Sequence, residues 1–211
     1  MGKSNIAARR GAKANRRKAI VAQKRKAEAV GGTLAGQVAR AAEAPIYCCL
    51  LTECLFETGI GTLLLARGSG AGQFVVGVFL LDTFCLGIKD IVLRPMAAAQ
   101  LDDDLDMLSA ATLMVPVDPG YARKLVRDLA QWSGSLGFQP HADFAMAERL
   151  FGDIDPQACE TTFKFGQGGK PLYMAGPSES PPLVRHRMDQ LSTQLGSDGF
   201  DYIVPVHEAA E

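Results

Sequence analysis

Cys85 stands inside the run "FLLDTFCLGIKD" (79–90), preceded by Asp82 and followed by Lys89 and Asp90. A cysteine beside carboxylates and a cation has the raw material of a thiol nucleophile. His141 is then the candidate general base, and Asp82 or Asp90 the group that orients its imidazole. That set implies a thiol-dependent hydrolase or transferase.

Two other readings of the same run compete. In the structural one, a buried strand ends at Asp82, Gly87 turns the chain, and Lys89 pairs with Asp90 or Asp82. In the other, Asp82, Lys89 and Asp90 line a small-molecule or RNA-binding groove at the strand end. All three readings share one demand. An apolar stretch that breaks off into charge needs partners for those groups, because unpaired burial is costly.

Other motifs narrow the chemistry. "FGQGGKPLYMAGP" (165–177) suggests a phosphate loop, but that pattern needs Gly at 164 and Ser or Thr at 171, where Lys164 and Pro171 stand. A glycine-rich hairpin turn with Lys170 in solvent is expected instead. "LDDDLDML" (101–108) lacks the calcium-loop frame. It reads as an acidic helix start favoured by the helix dipole, or as a weak, salt-sensitive contact for a basic segment. The five cysteines (Cys48, Cys49, Cys54, Cys85, Cys159) have no C-x-x-C spacing, and His141, His186 and His207 are scattered. No metal site and no cofactor are expected, and free thiols suit a reducing cytosol.

The elements that must position these residues follow from composition and period. With 211 residues, 47% apolar and 21% charged, the chain suits one folded domain with an extension. The net charge of −1 conceals a segregation. Residues 1–28 hold ten Lys or Arg against Glu28 alone, giving +9; the remaining twelve bases and twenty-two acids give −10. The ten cations are Lys3, Arg9, Arg10, Lys13, Arg16, Arg17, Lys18, Lys24, Arg25 and Lys26. Ile6, Ile20 and Val21 cannot make a burying stripe, so residues 1–30 are expected to form a disordered or transiently helical arm. Clustered cations gain affinity for polyanions by releasing counterions, which makes RNA or the ribosome the expected partner; the alternatives are a solvated tail, or a linker on a protein-interaction module whose surface is the acidic body. With no aromatic residue before Tyr47, the arm has no stacking platform and touches phosphates only.

The longest apolar run, Phe74 to Leu81, is far shorter than a bilayer helix of about 20 residues. No apolar h-region follows the basic start, so a cytoplasmic location is expected; an acid-poor leader also fits a mitochondrial presequence, although Lys is as prominent as Arg.

Residues 31–211 are expected to form a single α+β domain, with antiparallel hairpins in a mixed sheet and three to five helices packed on it. Strands are predicted at Thr62–Arg67 and Gln73–Leu81, the second covered on both faces. A helix is predicted around Leu34–Glu43. Asp118-Pro119 starts another, with Tyr121, Leu125, Leu129, Trp132 and Leu136 at helical spacing. Ala142–Phe151 and a segment opened by Ser180-Pro181 complete the helices. Two strand-like pieces flank the glycine-rich turn, and "FDYIVPV" (200–206) supplies a last strand.

"PIYCCLLTE", "GTLLLARG", "VVGVFLLDTFCLGIKD", "FGQGGKPLYMAGP" and "FDYIVP" together resemble a group of uncharacterised bacterial proteins with a basic leader and a D-x-x-C-L-G-[IV]-K-D segment. The resemblance spans roughly residues 40–206. It implies no activity, ligand or catalytic residue.

Overall fold

The computed structural model describes residues 32–68 and 73–204. The basic arm and its ten cations lie outside the described residues, as does most of the "GSGAG" turn. β1 (Ile46–Thr52), β2 (Ile60–Arg67), β3 (Gln73–Asp82) and β4 (Gly87–Ala97) pair antiparallel in succession, and β5 (Met114–Pro116) adds to the other edge of β1. The five-stranded sheet therefore runs β4-β3-β2-β1-β5. β2 and β3 are apolar on both alternating faces, which fits strands covered on each side.

One face carries Leu63, Leu65, Phe79 and Ile88 against α1 (Leu34–Ala41), α4 (Pro119–Ser135), α5 (Phe144–Glu148) and the 3₁₀ turn Arg149–Phe151. α4 begins where capping chemistry requires, since Asp118 Oδ1 accepts from Gly120 N at 2.8 Å and Tyr121 N at 3.1 Å. Its buried stripe is Ala122, Leu125, Val126 and Leu129. Arg67, at the end of β2, ties this layer together: its guanidinium donates to the carbonyls of Ala44, Leu150 and Phe151. The short α2 (Leu55–Thr58) lies between β1 and β2.

The opposite face carries Leu64, Phe74 and Val76 against α3 (Ala98–Ala111) through Leu101, Leu105 and Leu108. The acidic run differs from expectation here. It starts no helix but lies within one that opens at Ala98, because the Gln100 amide oxygen accepts from Ala97 N at 3.2 Å and ends β4 at once. The apolar stripe of α3 turns the aspartates outward, and Asp104 meets Arg94.

β6 (Leu172–Met174) pairs parallel with β7 (Asp201–Ile203), and α6 (Pro181–Leu195) lies between them in the chain. Hence antiparallel and parallel pairings coexist in an α+β fold. The first strand-like piece beside the glycine-rich turn forms no ladder. Only a Gln167–Lys170 bridge closes the turn, because Phe163 and Phe165 pack their rings on helix α4 rather than aligning the backbone with a strand. Among the described residues, no helix is long and apolar enough to cross a membrane.

Candidate functional site

The run that ends β3 is a buried turn held from within and from outside. β3 stops at Asp82, residues 83–86 turn, and Gly87 opens β4 with φ +75°. Asp82 is fully buried, and its Oδ1 accepts from Phe84 N at 3.0 Å and Cys85 N at 2.8 Å. Those two bonds fold the turn back on its own strand end. Oδ2 has no hydrogen-bond partner among the described residues. Burial raises the Asp82 pKa, opposed by the backbone bonds and by the charge of Lys89. Neighbouring segments grip the turn from outside: Thr83 N donates to Gly59 O, Gly166 N to Thr83 O, and Leu172 N to Phe84 O.

Lys89 is aimed by a β-bulge. Leu80 faces Asp90 and Leu81 faces Ile88, which leaves Lys89 as the extra residue in β4. Its ammonium therefore points away from the ladder to Glu179 Oε1, 3.6 Å away. Glu179 is the hub of a cluster that sequence reading missed. Tyr173 donates its hydroxyl to Oε2 at 2.5 Å, and Arg187 Nη1 lies 2.6 Å from the same oxygen. The Arg187 contact is an ion pair out of line with its N–H direction. Arg187 also sits 6.0 Å from the Tyr173 ring centroid. Burial would raise the Glu179 pKa, but the bond from Tyr173 and the charge of Arg187 hold it below the ordinary carboxylate value. Tyr173 is pushed the other way, to about 12, by burial and by the carboxylate it serves.

The sequence candidates separate around this hub. Asp82 and Cys85 share the turn, and Lys89 joins Asp82 to Glu179 electrostatically. Asp90 is exposed and faces His141 Nε2 at 3.7 Å, while His141 Nδ1 accepts from Asp143 N at 3.3 Å. Lys89 and Asp90 thus do not pair with each other: Lys89 acts on Asp82 and meets Glu179, which was not expected, whereas Asp90 meets His141, the pairing that the nucleophile reading assigns to it. Among the described residues no hydrogen bond joins His141 to Cys85. The thiol packs among Leu86, Leu136, Phe138 and Tyr173, with no solvent exposure. Burial first, and Asp82 second, push its pKa to about 12. A reactive cysteine needs an environment that lowers that value, so the geometry suits a core residue. Among the described residues, no group of His, Cys, Asp and Glu is arranged to hold a metal ion.

Of the concavities on the described surface, two have largely apolar walls. A cleft of about 430 Å³ lies beside Glu179, walled by Ala175, Pro177, Pro181, Val184 and Val204, with Arg185 at its edge. A wider groove of about 910 Å³ runs along residues 161–169 and is lined by Phe56, Tyr121, Phe163 and Phe165. The F-x-F spacing of Phe163 and Phe165 was the available signal for the second. It reads equally as a strand face until Tyr121 and Phe56, distant in sequence, arrive beside it.

Comparison with protein-family models, with curated proteins and with solved structures finds no match to this chain.

Proposed function

We propose that the protein associates with nucleic acid, RNA or the ribosome first, through the cations of residues 1–28. The observation that carries this reading is the charge segregation, +9 over residues 1–28 against −10 over the rest, from the Lys, Arg, Asp and Glu positions. A body of that sign repels a polyanion. The affinity must therefore come from Lys3, Arg9, Arg10 and their neighbours acting together on phosphates. A reducing cytoplasm is the matching location, and it is supported by five free cysteines, with Cys49 and Cys85 buried.

Binding to mixed single-stranded RNA across a salt series, with the full chain and with residues 1–28 removed, tests the reading. On a single strand, an arm that neutralises roughly six to ten phosphates loses about 300-fold to 10⁴-fold in affinity between roughly 50 and 200 mM salt. The truncated chain is expected to lose that binding. Equal, weak binding by both proteins, or binding indifferent to salt, overturns the proposal.

A further inference from the structure

The arm brings charge without a single aromatic ring, and the folded body has rings in an open groove. Phe163 lies nearly parallel to Phe56 (centroids 5.9 Å, planes 5° apart) and to Phe165 (6.1 Å, 21°). Tyr121 meets Phe163 edge-on at 5.0 Å. Phe56 is 37% exposed, so the series opens to solvent. Lys124 Nζ stands 5.6 Å from the Phe163 centroid, and Lys164 is exposed, without an ion pair among the described residues. The backbone of residues 161–165 enters no backbone hydrogen bond among the described residues.

Resting on the nucleic-acid reading above, we propose that this groove stacks the unpaired bases of a single strand while the arm neutralises its phosphates. Ring faces can meet only bases whose own faces are open, which selects single strands over duplex. Glu57 and Glu160 are exposed next to Phe56 and Thr161 in sequence, which keeps phosphates off that side. Lys124 is held by Asp128 at 2.5 Å, so charge neutralisation falls to Lys164 and to the arm. Its 31 residues before the described fold reach at most about 100 Å when extended, beyond the diameter of a domain of this size. Stacking is tolerant of base identity, so the site confers preference for single strands without a sequence code.

The test uses the full chain with labelled oligo-rU, oligo-dT and an RNA duplex of equal length. Trp132, the one tryptophan in the sequence, has its ring 5.3 Å from Phe165 and reports on the groove by fluorescence. Single strands of either sugar are expected to bind about ten-fold more tightly than duplex and to quench Trp132 saturably. Phe163→Leu, which keeps an apolar side chain in place, and the surface variant Lys164→Glu should each weaken single-strand binding several-fold. Both should leave duplex binding unchanged. If the full chain binds nucleic acid but both variants bind single strands as before, the groove inference fails and the arm reading stands. If the full chain binds none of the three, the arm reading fails and takes this inference with it. Quenching of Trp132 by an extended apolar peptide but by neither oligonucleotide also overturns it.

Discussion

Tyr173, with no solvent exposure, donates its hydroxyl to Glu179 at 2.5 Å, and so fastens strand β6 to the loop that leads into α6. The ring packs beside Cys85, Leu86 and Leu191, so its two ends do different work. Tyr173→Phe keeps the packing and removes only the bond. Hydrogen bonds to charged groups contribute about 1.5–3 kcal/mol, and the urea midpoint should fall by a corresponding amount with the slope unchanged. A double-mutant cycle with Glu179→Ala, which removes the acceptor, should show coupling, and additive costs would refute the bond.

Asp82 gives the protein a pH dependence opposite to that of an ordinary paired carboxylate. Its folded pKa lies above the unfolded value because burial disfavours the charge. The native state therefore holds its proton more tightly, and stability is lost as pH rises from the unfolded pKa through the folded one. Asp82→Asn keeps an oxygen for Phe84 N and Cys85 N and removes the charge. Denaturation curves from acid to neutral pH should show a flatter stability profile for Asp82→Asn, with its advantage over the wild type growing toward neutral pH. An advantage that instead shrinks with rising pH would mean that Lys89 outweighs burial.

What was legible in the sequence was local. Asp118-Pro119 announced α4 because capping needs only adjacent residues, and the apolar run from Phe74 announced β3 because its alternation leaves neither face polar. The end of that strand at Asp82 was equally readable. The acidic run deceived because Asp at a helix start is a common pattern, whereas here a neutral Gln100 supplies the cap. Glu179 could not be paired with Lys89 in advance, since a bulge in β4 decides where the ammonium points. The aromatic groove is hidden for a related reason: Tyr121 has the spacing of a helix face and its partner Phe163 that of a strand, and only the fold brings them together.

The thiols offer a direct check on Cys85. It and Cys49 are buried, with pKa values pushed up to about 12 mainly by burial, and Cys48 is held up at about 11. Cys54 and Cys159 are partly exposed. A chromogenic disulfide reagent near pH 8 should modify Cys54 and Cys159 first, with Cys85 reacting only on unfolding, as located by peptide mass mapping. Rapid labelling of Cys85 in the native protein would restore the nucleophile reading.

Gly87 has two separate reasons to be glycine, and they can be measured apart. Its φ of +75° is a region that side chains disfavour, and a Cβ there would strike Ser133 Oγ and come within 2.5 Å of Ser133 Cβ. Ser133 is fully buried on α4, so it has little room to yield. Gly87→Ala should cost about 1–2 kcal/mol for the backbone and a further 1–3 kcal/mol for the collision. In a Ser133→Gly background the collision disappears and the backbone cost remains. The same Gly87→Ala step should therefore shift the denaturation midpoint much less there. An equal shift in both backgrounds would mean that α4 does not press on the turn.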